Sequence, residues 1–259
     1  MSGKVFASFN LKGGVGKTAA AVNLAYAAAA SGRRVLLWDL DPQAAACYYY
    51  RVKPGIKGGG KKMIRKPATL QDFIKETDYA GLDLMPADFS YRNLDLYLAR
   101  KKKWAGRLTQ LIAPLRNDYD IVMLDCPPGA SLVSENVFAA SDALLLPLIP
   151  TFLSLRVYER LQTYFAGHPE HQPLLLPFFA MVDRRRTLHR EIVESFLKDQ
   201  TGCLKTSIAY STVVEQMGRF RAPVQVFAGN SEAAVSYDTL WQEIDDRVSA
   251  VRHRELRPN

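Results

Sequence analysis

The sequence has few cysteines and histidines and no long apolar run. Its 259 residues include three cysteines (Cys47, Cys126 and Cys203) and four histidines. The cysteines are odd in number and widely spaced, so they match neither a disulfide framework nor a metal-binding pattern. They predict reduced thiols and a cytoplasmic protein.

No apolar stretch approaches the roughly 20 residues that a membrane-spanning helix needs. Residues 1–9 do not resemble a signal peptide. The chain is 48% hydrophobic and 23% charged, which is typical of a globular protein. With 34 Lys and Arg against 26 Asp and Glu, the net charge of +8 favours a polyanionic partner, although many enzymes of other kinds are also basic.

The first forty residues predict a strand, a helix and a second strand. Residues 4–9 form a short apolar run, and residues 17–31 are rich in alanine with neither Gly nor Pro, which favours a helix. Gly32 is placed as the glycine that ends this helix. A second apolar run at 35–38 completes a βαβ unit, which requires a parallel sheet and a right-handed crossover.

The same alternation continues along the chain. Further strands are predicted at 82–85, 121–124, 143–148 and 174–180, and further helices at 99–116, 154–165, 188–197 and 239–251. We find no internal repeat and no interdomain linker. The prediction is an α/β fold in which residues 1–259 form a single domain, with a doubly wound, mostly parallel sheet flanked by helices.

Residues 51–68 differ from the rest in composition. They contain four glycines, two prolines, seven Lys or Arg and no acidic residue. We expect an exposed insertion, either flexible or hairpin-like.

A phosphate-binding loop is predicted at residues 12–18, Lys-Gly-Gly-Val-Gly-Lys-Thr, between the first strand and the first helix. Glycines allow successive backbone N–H groups to point at one phosphate, and the helix N-terminus adds its positive dipole end. Lys17 supplies a cation and Thr18 a hydroxyl for Mg²⁺. The usual first glycine of such loops is Leu11 here, and an additional lysine, Lys12, begins the motif.

The motifs resemble those of the deviant Walker-A ATPases of the ParA/MinD type, which include ParA/Soj-like partition and positioning ATPases. Their signature, Lys-Gly-Gly-x-Gly-Lys-Ser/Thr, is matched in full by residues 12–18. The similarity extends to Asp-Leu-Asp-Pro-Gln at 39–43, Asp-Cys-Pro-Pro-Gly at 125–129, and residues 88–95 and 181–184. The resemblance implies a P-loop NTPase fold, ATP or ADP with Mg²⁺ as cofactors, and slow Mg²⁺-dependent ATP hydrolysis stimulated by a partner and by DNA.

The resemblance also implies roles for particular residues. Lys12 would reach the nucleotide of a second subunit in an ATP-bound homodimer, Asp41 would orient the attacking water, and Asp39 and Asp125 would hold Mg²⁺ together with Thr18. The implied catalytic residues are Lys12, Lys17, Asp41 and Asp125. The implied nucleotide contacts are Lys12, Gly13, Gly14, Val15, Gly16, Lys17, Thr18 and Ala19, with adenine contacts from Met181, Asp183 and Pro223.

Members of this family use either a membrane or DNA as a track. Residues 252–259 are polar with a single leucine, so membrane binding is not expected. The basic surplus instead favours non-specific double-stranded DNA and a nucleoid-associated protein. The candidate DNA contacts are Arg184, Arg185, Arg186, Arg190, Lys198, Lys205, Arg219 and Arg221, with the tracts at 61–66 and 101–103.

The leading hypothesis is an ATPase that positions a cargo on the nucleoid through a separate ParB-like adaptor protein. No helix-turn-helix module is expected before residue 4, so the cargo requires that adaptor. Two alternatives remain. One is a regulatory or assembly ATPase of the same fold, for example in polysaccharide secretion or as an amidotransferase partner. The other is a nucleotide-binding interaction module with little turnover.

Overall fold

The computed structural model describes residues 2–65, 70–99, 106–169, 172–200 and 202–255. Its core is a seven-stranded sheet in the order β3-β4-β2-β5-β1-β6-β7. All neighbouring strands pair in parallel except β3, which is antiparallel to β4. The strands are β1 Lys4–Ser8, β2 Val35–Asp39, β3 Lys75–Glu76, β4 Leu82–Met85, β5 Ile121–Asp125, β6 Ala143–Leu148 and β7 Leu174–Phe179.

Helices cover both faces of the sheet. They are α1 Lys17–Ala30, α2 Ala45–Tyr49, α3 Gly59–Arg65, α4 Leu94–Ala99, α5 Arg107–Ile112, α6 Leu115–Asp118, α7 Leu132–Ala140, α8 Phe152–Ala166, α9 Thr187–Asp199, α10 Thr212–Glu215, α11 Met217–Phe220, α12 Val224–Phe227 and α13 Glu232–Glu255. Helices α1 and α13 pack on one face through alanines and Trp241, and α3, α4, α5, α7, α8 and α9 pack on the other. The doubly wound fold is confirmed.

The strand predictions are confirmed to within two residues, because buried parallel strands form continuous apolar runs. The helix predicted at 99–116 differs: α5 ends at Ile112, and α6 begins at Leu115 after Pro114. Proline lacks the N–H that a continuous helix needs, which explains the break. Residues 100–105 of this prediction, including the basic tract at 101–103, lie outside the described residues.

The expectation of a flexible or hairpin-like segment at 51–68 is wrong for its described part. Residues 59–65 form α3. Its side chains Met63 and Ile64 are buried in the core, as is Ile56 just before the helix. At Gly60 an added Cβ would lie 3.0 Å from side-chain atoms of both Tyr91 and Leu94, so the glycine permits close packing. The segment is therefore anchored by its apolar side chains, while Lys57, Lys61 and Arg65 remain exposed.

Candidate nucleotide site at the carboxyl edge of the sheet

The predicted phosphate loop connects β1 to α1. Gly14 and Gly16 have φ values of +72° and +92°, a left-handed backbone that disfavours other residues. The Ser8 hydroxyl donates to the Lys17 carbonyl at 2.8 Å and ties the end of β1 to the first turn of the helix. This geometry leaves the helix N-terminus facing the loop, where an anion is favoured.

Further contacts fix the loop where Leu11 replaces the usual glycine. The Leu11 carbonyl accepts from the Gly129 N–H at 3.1 Å, which joins the loop to the segment after β5. The Lys12 N–H donates to Asn10 Oδ1 at 2.9 Å, and Asn10 in turn donates to the Pro147 carbonyl. The loop is therefore held by the ends of both strands that flank β1.

Lys17 is buried, and its ammonium donates to the Lys12 carbonyl at 2.8 Å. Burial lowers the pKa of Lys17, although Asp125, Cys126 and Asp41 partly offset this effect. A cation held inside the loop in this way can meet a phosphate oxygen that enters the nest. Lys12 contributes its backbone to this contact and is itself half-buried.

Three aspartates follow the carboxyl ends of β2 and β5. Asp39 and Asp125 are completely buried and lie opposite each other in the strand register. Asp39 accepts from the N–H groups of Cys47 and Asp41 at 3.0 and 3.2 Å. Asp41 is half-buried, and its carboxylate accepts from the Gln43 N–H at 2.9 Å. The structure therefore brings the predicted aspartates to the same sheet edge as the loop.

The two buried carboxyl groups have raised pKa values. Burial raises the pKa of Asp39 to about 6, and hydrogen bonds from Cys47 oppose the rise. Burial also raises the pKa of Asp125 well above its usual range, with a further contribution from Asp39, while Thr18 and Lys17 act in the opposite direction. Among the described residues, no group donates a hydrogen bond of regular geometry to either carboxylate oxygen of Asp125, although the Thr18 side chain is near enough to lower its pKa.

The unpaired Asp125 carboxylate fits a divalent cation. A buried charge without a partner is costly, and a bound metal is one way to compensate it. Mg²⁺ prefers oxygen ligands and is usually bound by one or two carboxylates, water and substrate phosphates. Thr18, Asp39 and Asp125 offer a hydroxyl and carboxylates beside the phosphate loop, so these residues suit the metal that the motif predicts.

An apolar pocket of about 70 Å³ lies beside the first turn of α1. Its lining includes Gly16, Ala19, Met181, Tyr210, Ser211 and Val214. Met181 has a φ of +55°, and its Cε lies 3.9 Å from the position of a Cβ added to Gly16. The pocket therefore adjoins the phosphate loop, and Met181, a predicted adenine contact, is part of its lining.

The structure does not bring the other two predicted adenine contacts into the lining of this pocket. Pro223 is buried at the start of α12, where the next N–H, that of Val224, donates to Asn23 Oδ1 at 2.8 Å. The Asp183 carboxylate instead pairs with Arg185 at 2.9 Å, and this hydrogen bond lowers the pKa of Asp183 to about 2. Sequence reasoning missed Tyr210, Ser211 and Val214, because no local motif marks them.

The predicted DNA-contacting residues do not all share one environment. Arg184, Arg185, Arg186 and Arg190 are exposed together where β7 leads into α9. Arg184 pairs with Glu232 at 2.8 Å, and Arg190 donates to the Arg184 carbonyl. Lys198 is exposed on α9. Lys205 is also exposed, and its backbone N–H donates to Glu243.

The two arginines after α10 differ from each other. Arg219 is exposed, with its guanidinium 5.7 Å from the centre of the Phe220 ring. Arg221 is half-buried, and its guanidinium lies 4.7 Å from the centre of the Tyr48 ring and donates to the Tyr48 carbonyl at 3.1 Å. Arg221 therefore makes an internal contact with Tyr48, and its predicted contact with DNA stays a prediction. In the tract at 61–66, Lys61 and Arg65 are exposed and Lys66 lies outside the described residues.

Within the described residues, no helix is both long enough and apolar enough to cross a bilayer.

The chain is similar to known proteins in both sequence and structure. The family model described as an AAA domain matches residues 3–169. The chromosome partitioning protein ParA of Caulobacter vibrioides is 31% identical over 276 residues, covering 98% of this chain and 97% of that protein. The sporulation initiation inhibitor protein Soj of Bacillus subtilis is 28% identical over 250 residues, covering 93% and 98%.

A solved structure shares the fold. Cobyrinic acid a,c-diamide synthase from Mycobacterium smegmatis, with bound ATP analogue and magnesium, superposes with a TM-score of 0.77 at 23% identity, covering 98% of this chain and 96% of that one. At this identity the match speaks for the fold alone.

Proposed function

We infer the function from the family, since this chain belongs to the ParA/MinD-type P-loop ATPases, the group of partition and positioning ATPases. We propose that it binds ATP with Mg²⁺ at residues 12–19, dimerises in that state, binds DNA non-specifically and positions a cargo. The carrying observation is the buried, unpaired Asp125 carboxylate beside Lys17 and the phosphate loop.

Binding of the triphosphate follows from the loop. The backbone N–H groups of residues 13–17 lie at the N-terminus of α1, where a phosphate is favoured. An entering phosphate would replace the Lys12 carbonyl as the partner of the Lys17 ammonium. The pocket lined by Met181 and Tyr210 would take the base. The M. smegmatis synthase, which has the same fold, binds an ATP analogue with magnesium.

Hydrolysis requires placement of water and neutralisation of charge more than covalent help from the protein. Bound Mg²⁺ would neutralise the phosphate oxygens and compensate the Asp39 and Asp125 carboxylates. The half-buried Asp41 would orient the attacking water at the same sheet edge. Lys12, in the dimer, would supply a cation to the partner's nucleotide, and loss of the terminal phosphate would then weaken the dimer.

DNA binding is proposed for the arginines at the β7–α9 connection. Arg184, Arg186 and Arg190 are exposed close in sequence to Met181, so nucleotide binding and a basic surface share one segment. Each cation that neutralises a phosphate releases a counterion, which makes such binding steeply dependent on salt. A ParB-like adaptor would connect the DNA-bound dimer to its cargo and stimulate turnover.

The test is binding of random-sequence duplex DNA by the purified protein with ATP, ADP or no nucleotide, over a range of salt concentrations. We expect ATP-dependent binding. Replacing Arg184 and Arg186 with alanine should lower the slope of log K against log salt by about 2, for two lost phosphate contacts. The matched control is Arg156→Ala with Arg160→Ala, two exposed arginines of α8. Binding that ignores ATP, or an equal loss in the control, would contradict the proposal.

A second candidate is a regulatory or assembly ATPase of the same fold that does not bind DNA. The similarity to the M. smegmatis synthase over 98% of this chain favours keeping it. It predicts ATP turnover without ATP-dependent DNA binding, so the same measurement separates the two candidates.

A further inference from the structure

Helix α2 is held by the nearby Asp39 side chain on one side and by residues 218–221, distant in sequence, on the other. It spans Ala45–Tyr49 and follows the loop that carries Asp39 and Asp41. At its N-terminal half, the Cys47 N–H donates to Asp39 Oδ2 at 3.0 Å. The position of Asp39 and of the loop behind it therefore depends on where this short helix lies.

The C-terminal end of α2 and the residue Arg51 are joined to α11 and to Arg221, which follows α11, by hydrogen bonds donated from each side. The Arg221 Nε donates to the Tyr48 carbonyl at 3.1 Å, and its guanidinium stacks over the Tyr48 ring. The Tyr48 hydroxyl donates to the Gly218 carbonyl at 3.1 Å. Arg51 Nε donates to the Arg221 carbonyl at 3.2 Å, and its Nη2 donates to the Phe220 carbonyl at 3.3 Å.

The backbone is shaped for this arrangement. Arg51 and Arg221 both have positive φ values, +58° and +50°, which non-glycine residues seldom adopt. Such conformations persist where surrounding contacts fix them. We call Tyr48, Arg51, Gly218, Phe220 and Arg221 the α2 clasp.

The clasp also connects the loop to the pocket beside α1. Ser211 and Val214, which line that pocket, belong to the start and body of α10, and α11 with the clasp follows directly. One continuous segment, 210–221, thus contacts the pocket at one end and α2 at the other. Residues 210–221 therefore connect the pocket, at Tyr210 and Ser211, to α2, which follows the loop that carries Asp41.

The geometry points to Arg221 as a positioning residue for hydrolysis: through Tyr48 it fixes α2, and through α2 it fixes the Asp39–Asp41 loop. This inference rests on the proposed ATPase function. It assigns Arg221 no contact with nucleotide or DNA. Its role is to keep the water-orienting carboxylate in place, and misplacement of a reacting group by about 1 Å can lower a rate by about 100-fold.

The experiment measures steady-state ATP hydrolysis without DNA for wild type, Arg221→Ala, Arg221→Lys and Arg33→Ala. Arg33 is the control, because it forms an exposed contact with Asp245 at 2.9 Å at the opposite end of β2. Arg221→Ala should lower kcat about 10-fold or more with little change in KM for ATP. Lysine can still donate to the Tyr48 carbonyl, so Arg221→Lys should recover part of the rate, and the control should match wild type.

A second measurement is amide hydrogen exchange in the nucleotide-free protein. Arg221→Ala should accelerate exchange of the amides in residues 45–51, including the Cys47 amide that binds Asp39, while β1, β2 and β5 keep their protection. If Arg221→Ala fails to fold, Tyr48→Phe carries the test. It removes only the hydrogen bond to Gly218 and should produce the same effects at smaller size.

A double variant tests whether both arginines act through one clasp. Arg51→Ala should also lower kcat, and adding Arg221→Ala to it should lower kcat by less than the product of the two single effects. Independent, multiplicative effects would overturn a shared clasp.

The other outcomes separate this inference from the proposed function. Wild-type turnover and unchanged exchange in Arg221→Ala, or a raised KM with unchanged kcat, would overturn the positioning role and leave the ATPase proposal intact. If Arg221→Ala lost binding to duplex DNA but kept wild-type turnover, the positioning role would be overturned in favour of a direct contact between Arg221 and DNA. Absence of turnover by the wild-type protein with Mg-ATP would overturn both.

Discussion

Asp39 and Asp125 are direct cross-strand partners at the carboxyl ends of β2 and β5, and both are completely buried. Asp39 receives two backbone hydrogen bonds, whereas no backbone N–H of the described residues donates to either oxygen of Asp125. Two adjacent carboxylates in a water-poor environment repel each other and lose hydration. Ionisation of both groups is therefore unfavourable, which raises their pKa values, and a bound cation would stabilise the ionised form.

This arrangement predicts a stability gain at the cost of activity. Asp125→Asn should raise the free energy of unfolding of the nucleotide-free protein by roughly 1 kcal/mol, because it removes a carboxyl group whose ionisation is penalised by burial and by Asp39. The same variant should lose Mg²⁺-dependent ATP hydrolysis. Urea unfolding in a buffer with a chelator measures the first effect, and a phosphate-release assay measures the second.

The control for Asp125→Asn is Asp88→Asn. Partial burial would raise the pKa of Asp88, but hydrogen bonds from Ser90 and Ile56 outweigh this effect and keep the pKa below its usual value. Here the charge is stabilised, so the substitution should lower stability. If both variants were destabilised alike, the carboxylate of Asp125 would not be strained in the way we infer.

The raised pKa of Asp39 predicts how stability changes with pH. Burial raises this pKa to about 6, whereas an unfolded chain has a value of about 4. As pH rises from 4 to 6, the unfolded chain releases the proton first, so the folded state loses stability over this range and no further above it. Asp39→Asn removes the titration.

We therefore expect Asp39→Asn to gain stability relative to wild type as the pH rises from about 4 to about 6. Thermal unfolding of both proteins, without nucleotide or Mg²⁺, measures the difference. A difference that does not vary with pH would mean that the Asp39 pKa is not raised in the folded protein.

The sequence predicted the central strands and the phosphate loop well, because each depends on local information. An apolar run ended by Asp39 or Asp125 specifies a buried parallel strand, and Gly14 and Gly16 stand where the backbone is left-handed. The pocket was predicted less well. Tyr210 and Val214 reach Met181 only through the fold, and Pro223, near them in sequence, lies elsewhere.

Arg221 and α3 show a second limit of prediction from local sequence. A basic residue in a basic sequence favours a solvent-facing role, but stacking of Arg221 on Tyr48 depends on residues that are about 170 positions apart. In the segment 51–68, which contains α3, four glycines favoured a flexible backbone. Only the long-range packing of Gly60 against Tyr91 and Leu94 explains why this backbone is helical instead.

Packing of α3 makes a prediction of its own. Met63 is 2% exposed, and the Tyr91 hydroxyl lies 3.2 Å from its sulfur. Met63→Ala should lower the free energy of unfolding by about 2–4 kcal/mol, as expected for a large core residue. Lys61→Ala, on the exposed side of the same helix, should change it by less than about 0.5 kcal/mol. Chemical denaturation of both variants decides the matter, and equal small effects would mean that α3 is not packed on the core.

The proposed dimer with shared active sites makes a prediction for Lys12. Its backbone, not its side chain, makes the loop contacts: the N–H binds Asn10, and the carbonyl accepts from Lys17. Lys12→Ala should therefore fold and bind ATP as wild type does, but should neither dimerise with ATP nor hydrolyse it. Light scattering with ATP and Mg²⁺ measures dimers, with Lys75→Ala on the exposed edge strand β3 as the control.

Mixing two inactive variants tests whether Lys12 acts on the partner's nucleotide. In a heterodimer of Lys12→Ala with Asp41→Ala, the first protomer keeps its own Asp41 and receives Lys12 from the second, so one of the two sites is complete. An equal mixture should therefore regain a measurable part of the wild-type rate, whereas neither variant alone does. If Lys12 served its own nucleotide, each protomer would lack an essential group and the mixture would stay inactive. Recovery on mixing therefore requires that the lysine crosses the interface.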